Sequence, residues 1–158
     1  MRRSLLLAVG AGLLPVAYRA SLRAVLRWAN ARLNEGDVEP LLRLYAEDAT
    51  LVFPGASSWG GTYRGRAEIG GFLRRFVAAG LRGEIEDAVI SGPPWRTTVC
   101  VRFSDEARGA DGAVVYSNEA ILVARSRWGR IVHQEDFEDT ERVAAFDRYL
   151  AERGIARA

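Results

Sequence analysis

Residues 82–138 read RGEIEDAVISGPPWRTTVCVRFSDEARGADGAVVYSNEAILVARSRWGRIVHQEDFE. Runs rich in Val, Ile, Thr, Phe and Tyr are cut by three turn clusters, Gly92-Pro93-Pro94, Ala110-Asp111-Gly112 and Trp128-Gly129. That punctuation predicts four strands, at 82–91, 97–107, 114–127 and 130–138. The links between them are too short for crossover connections, so successive strands are antiparallel.

Upstream the pattern is helical. From Arg19 to Asn34, Leu22, Val25, Leu26, Ala29 and Leu33 share a face, and Arg19, Arg23 and Arg27 recur every four residues on another. Gly36 stops this helix, and Asp37 is placed to cap a second one through Leu41, Leu42, Leu44 and Tyr45, with Pro40 in its first turn. A short β run, Thr50-Leu51-Val52-Phe53, ends at Pro54-Gly55; residues 56–65 read as loop. A third helix is expected at 67–79 through Ile69, Phe72, Leu73 and Phe76. Asp139 or Thr140 caps a last helix whose Val143, Phe146 and Leu150 face inward. Helices, then strands, then a helix make an α+β domain with helices on one face of a curved sheet.

At 158 residues there is room for one core, and 49% apolar with 27% charged residues is ordinary for a globular protein. One cysteine, Cys100, excludes an internal disulfide, and one histidine, His133, leaves no structural zinc set. No cofactor is expected. All 22 basic residues are Arg; six lie in residues 1–34 without a single acid, and the remaining body is net acidic. A nucleic-acid footprint is therefore not expected. Residues 1–20 form an apolar N-terminal arm, Met1-Arg2-Arg3 leading into the run 5–17, which is shorter than a membrane span. It reads as an extra helix or loose arm, or as an export signal or anchor whose cleavage site is poor. Membrane contact is expected only through 1–20, and the protein is read as cytoplasmic, with export or anchoring as the alternative.

Residues 21–154 resemble the nuclear transport factor 2-like superfamily in its SnoaL-like, ketosteroid-isomerase-like branch. The resemblance is carried by Leu33-Asn34-Glu35-Gly36-Asp37, Leu44-Tyr45-Ala46-Glu47-Asp48-Ala49-Thr50, Phe53-Pro54-Gly55, Tyr63-Arg64-Gly65, Trp128-Gly129-Arg130-Ile131 and Glu135-Asp136-Phe137-Glu138-Asp139. It implies a cone-shaped α+β barrel: a curved, mostly antiparallel sheet wrapped around N-terminal helices, with a C-terminal helix and an apolar pocket. Members include isomerases, cyclases, hydrolases and non-catalytic binders, so the fold leaves function open.

The isomerase branch sets its carboxylate base before the proline that ends the first strand, where this chain has Phe53; its tyrosine and second acid match Ala29 and Ile121. Isomerase chemistry by that route is not expected. Cyclases and epoxide hydrolases instead imply an aspartate on the last strand, matched by Asp136. The hydrolases also need an arginine and a second aspartate, and Arg102 and Asp105 are near but wrongly spaced.

Strand alternation sets His133 and Glu135 with Ile131 and Phe137 on one face of the last strand, and Asp136 with Val132 and Gln134 on the other. A His133–Asp136 dyad is excluded on a regular strand. If the more apolar face turns inward, His133 and Glu135 reach the pocket and Asp136 points out, unless a bulge reverses the order. The catalytic candidates are therefore Asp136, His133 and Glu135. Ligand-lining candidates are Phe53, Trp59 and Tyr63 near the mouth, Trp95 after the Pro-Pro turn, and Tyr116 with Asn118 on one strand face, though packing explains each as well.

The expected function is binding of a small hydrophobic molecule, with metal-free acid/base chemistry of cyclase, hydrolase or isomerase type; the alternative is a non-catalytic binder or oligomeric scaffold. A homodimer through the outer sheet face is expected.

Overall fold

A computed structural model of the chain describes residues 3–155, with the side chains of the first helix from Val16 onward. The elements are α1 (Arg3–Asn34), α2 (Glu39–Leu42), β1 (Tyr45–Phe53), β2 (Gly61–Arg64), α3 (Gly65–Ala78), β3 (Leu81–Ser91), β4 (Thr97–Arg108), β5 (Val114–Arg127), β6 (Arg130–Glu138) and α4 (Thr140–Glu152). The sheet runs β2-β1-β6-β5-β4-β3, and only the β1–β6 pairing is parallel. It is strongly curved but open, with β2 and β3 as edges. The fold is α+β, as the strand and helix order implies.

The four strands from β3 to β6 lie within a residue of the expected bounds, because turn residues mark each boundary between β-rich runs. The earlier elements differ. The helix expected to run from Asp37 through Tyr45 is one turn long. Asp37 does accept from the Glu39 N–H at 3.2 Å, but Leu44 O already accepts from Ile131 N at 2.7 Å, and this draws the chain into β1. Within the stretch read as loop, 61–64 form an edge strand whose Tyr63 stands opposite Leu51. The arm and the amphipathic helix are one continuous helix. Arg2 and the side chains of 5–15, on which the export expectation rests, lie outside the described residues and side chains. No described helix is long and apolar enough to cross a membrane.

Helix α1 is docked on edge strand β3 by polar contacts. Asn34 brackets Gly83, its Nδ2 donating to the carbonyl at 2.8 Å and its Oδ1 accepting from the amide at 2.9 Å. Asn30 Nδ2 donates to the same carbonyl, Arg23 donates to Ala88 O, and Tyr18 Oη meets Thr97 Oγ1 at 2.9 Å. Edge groups that would otherwise be solvated are thus paired by a helix. Gly83 is required there, since a Cβ would lie 2.0 Å from Phe103 Cζ. Helix α3 covers β1 and β2, and α4 lies against β5. Leu51, Ile69, Leu73, Val99, Val101 and Phe146 build the core between sheet and helices.

One irregularity controls the interior. On β5, Arg125 and Ser126 are adjacent, yet they pair with His133 and Ile131 on β6, leaving Val132 as an extra residue. This bulge shifts the alternation by one, so Ile131, Gln134 and Asp136 are buried while Glu135 and Phe137 are exposed.

Candidate functional site

The concave face encloses an apolar cavity of about 140 Å³, bounded by Leu22 and Leu26 of α1, Leu51 and Phe53 of β1, Phe72 of α3 and the inward faces of β4 to β6. Its carboxyl groups gather toward the end where β4 and β6 finish and β5 begins. Asp105 stands opposite Asn118, Glu138 opposite Ala120 and Asp136 opposite Leu122, so three carboxyl groups border two small or apolar β5 positions. No described Arg or His side chain lines the cavity.

Asp136 is 5% exposed and is held from one side only. Gln134 Nε2 donates to Asp136 Oδ1 at 2.8 Å, and Tyr45 Oη donates to Gln134 Oε1 at 2.6 Å. The tyrosine fixes which way the amide points, and the amide fixes which carboxyl oxygen is engaged. Burial raises the Asp136 carboxyl to about 7; Asp105 and Glu135 push the same way, and the Gln134 bond opposes them. Burial likewise carries Asp105 to about 7. Glu138 reaches about 8 through burial reinforced by Asp105 and Asp136, with the Asn118 bond opposing. Tyr45 and Tyr116 are also raised, chiefly by burial. The cluster therefore holds exchangeable protons near neutral pH.

Among the described residues, three buried polar atoms on the cavity wall have no hydrogen-bond partner: Asp105 Oδ1, Ser126 Oγ and Trp59 Nε1. They lie on β4, on β5 and on the segment before β2. Trp59, 2% exposed, packs edge-on to Phe72 and lies under the Arg75 guanidinium, 3.9 Å from the ring centre. Its segment is clamped by Asp147, which accepts from Ser58 N and Oγ and pairs with Arg75 at 3.3 Å.

Of the residues singled out in the sequence, Asp136, Phe53, Trp59 and Tyr116 line the cavity. Asn118 stands behind it, donating to Glu138 Oε2 and Asp139 O at 3.1 Å, and Tyr63 backs it, its ring tilted against Phe72 at 5.0 Å between centres and its hydroxyl donating to Trp59 O. His133 and Glu135 sit on the outer side of the Val132 bulge and do not line it; an inward turn of these two required a regular strand. Trp95 is 57% exposed on a distant turn against Trp128. Arg102 faces outward, paired with Glu86 at 2.8 Å, so it does not join Asp105. Gln134 and Glu138 follow from Asp136 by strand period once its face is known, whereas Tyr45 was hidden by the helical reading of its segment.

A family model for the SnoaL-like domain matches residues 25–134, from the last third of α1 to the glutamine that holds Asp136. The chain belongs to the SnoaL-like domain family. Solved structures agree with this assignment. PrhC from Penicillium brasilianum is 18% identical over 88% of this chain and 93% of its own, with a TM-score of 0.69. Bal32a from a soil-derived mobile gene cassette is 20% identical over 79% and 95%, with a TM-score of 0.63. TerC, co-crystallised with polyporic acid, is 23% identical over 80% and 96%, with a TM-score of 0.61. At these identities the likeness is one of fold. No curated protein sequence matches this chain. Within this SnoaL-like domain the cavity, the acid cluster and the Tyr45-Gln134-Asp136 chain are the candidate site.

Proposed function

We propose that this SnoaL-like protein binds a small apolar molecule in the sheet cavity and that Asp136 transfers a proton to or from it. The observation carrying this reading is a nearly inaccessible carboxyl group, held at one oxygen by Gln134, in a cavity otherwise lined largely by Leu, Val and Phe. A carboxyl raised to about 7 is divided between its two protonation states at neutral pH, so it serves as acid or base. The unpartnered Asp105 Oδ1, Ser126 Oγ and Trp59 Nε1 support a ligand bearing polar groups, which would satisfy them. A cavity of about 150 Å³ admits a benzene-sized ring, which sets the scale. TerC, of the same fold, was crystallised with a small molecule.

The test is a binding screen of small cyclic ketones, epoxides and phenols followed by product analysis. Asp136→Asn should keep binding and abolish turnover. Equal turnover in the variant removes Asp136 from the chemistry. The second reading, a non-catalytic binder, is favoured by Phe53 at the isomerase base position and by the outward Arg102; binding without product for any ligand that fills the cavity would support it.

Self-association through the outer face is proposed alongside. Ile121 and Phe137 pair across β5 and β6 there, 40% and 51% exposed, with Val89 exposed on β3. Sedimentation that shows only monomer at high concentration would remove this proposal.

A further inference from the structure

The two ends of the sheet differ in charge. The cavity end carries Asp105, Glu106, Asp111, Glu138, Asp139 and Glu141. At the opposite end 16–28, 91–101 and 122–134 contain no acid, while exposed Glu39 of α2 and exposed Glu47 and Asp48 of β1 lie to one side, where Tyr45 pairs with Ile131. The three acid-free segments meet through defined contacts: Tyr18 of α1 touches Thr97, Thr97 Oγ1 donates to Pro93 O at 2.8 Å, and Trp128 N donates to Pro94 O at 2.7 Å.

The Trp95 and Trp128 turns at this end present two large aromatic rings to solvent. Trp95 and Trp128 are 57% and 72% exposed, with ring centres 5.9 Å apart. Trp128 has φ 52° and is the only described residue other than glycine with a positive φ. It shares a two-residue hairpin turn with Gly129, φ 76°, a position that normally favours Asn, Asp or Gly. An indole kept at a strained position while mostly exposed is not explained by packing. Exposed Arg127 and Arg130 flank its turn, Arg130 donating to Arg43 O, and exposed Arg96 and Arg125 lie, respectively, next to Trp95 and two residues back along β5. From Tyr18, α1 continues as helix back to Arg3, about 22 Å at 1.5 Å per residue, through the uncharged run 4–18.

We propose that this end docks on an anionic lipid bilayer, the two tryptophans seated at the headgroup level, the arginines against lipid phosphates, and the N-terminal half of α1 lying in the interface. Indoles prefer that depth because one edge of the ring is apolar and the other donates a hydrogen bond. A basic cluster adds attraction that weakens with salt, and stable anchoring needs a second, apolar signal, which the 13-residue run 5–17 supplies without spanning the bilayer. The same basic and aromatic surface would attract a nucleic acid, but a nucleic acid makes no use of an apolar helix in continuity with it.

The experiment is cosedimentation of the full-length protein with vesicles of phosphatidylcholine alone and with 30% phosphatidylglycerol, at about 0.1 M and 0.5 M salt. Binding to the anionic vesicles at least tenfold tighter, weakened by salt and accompanied by a blue shift of tryptophan emission, is expected. The double variant Trp95→Ser/Trp128→Ser should lose at least tenfold, as should Arg96→Glu/Arg127→Glu, with thermal melting confirming that each is folded. Equal binding to both vesicle types, undiminished binding by the tryptophan variant, or no binding would overturn the proposal. So would displacement from the vesicles by a short single-stranded RNA at equal phosphate concentration.

Discussion

Tyr45 Oη and Gln134 Oε1, 89 positions apart in the chain, meet at 2.6 Å inside the sheet, one at the start of β1 and the other past the bulge of β6. Tyr45→Phe keeps the ring and removes the donor, leaving a buried amide oxygen without a partner. The expected cost is about 1–2 kcal/mol, read from denaturant midpoints. With the amide released, its restraint on Asp136 loosens, and the Asp136 titration should move further upward in a carboxyl-carbon NMR experiment. An unchanged titration would mean that Gln134 is held by other means.

Stability should fall as pH rises. Asp105, Asp136 and Glu138 lie well above the unfolded values of 3.8 for Asp and 4.5 for Glu, at about 7, 7 and 8. Between those limits the folded chain binds more protons than the unfolded one, so stability is lost across roughly pH 4 to 8. Melting temperatures at pH 5, 6, 7 and 8 should decline, and Asp105→Asn should flatten the decline. A variant slope equal to that of the parent would uncouple Asp105 from the cluster.

Asp147→Ala should be the costliest of these substitutions. Arg75 and Asp147 side chains are 11% and 13% exposed, and removing the acid leaves the guanidinium and Ser58 facing each other without a counter-charge. A loss of about 3–5 kcal/mol is expected from broken buried pairs of this kind. Faster proteolysis near Trp59 should accompany it, since Asp147 fixes that segment to α4.

Trp128→Asn should stabilise the fold while weakening vesicle binding. A left-handed conformation costs an ordinary residue roughly 1–2 kcal/mol, and Asn tolerates it better. Against this stands the contact with Trp95, so a net gain of about 0.5–1 kcal/mol is expected in chemical unfolding. A destabilised Asn variant would show that the indole is retained for packing.

The strands from β3 to β6 were legible because turn residues mark each boundary between β-rich runs. Tyr45 was not, because Leu41, Leu42, Leu44 and Tyr45 fit a helical face, and the competing pull comes from Ile131, far along the chain. The orientation of β6 was also undetermined locally. Its alternating pattern is compatible with either face turning inward, and the decision lies in a pairing with Arg125 and Ser126 that a single strand does not reveal. Asp105 was legible as a nearby acid, yet its place beside Asp136 depends on the registers of both flanking strands with β5.

The bulge at Val132 makes chain length, rather than residue identity, the quantity that selects the cavity's chemistry. β6 carries two interleaved sets of side chains: Gln134, Asp136 and Glu138, and His133, Glu135 and Phe137. Losing Val132 outright would leave Arg125 opposite His133 and Ser126 opposite Ile131, preserving the acid-lined interior. Retaining Val132 but ironing the strand flat would exchange that interior for the other set. For this hairpin, therefore, a one-residue deletion is a smaller evolutionary step than it looks, and divergent relatives aligned without a gap here would have unlike interiors matched column by column.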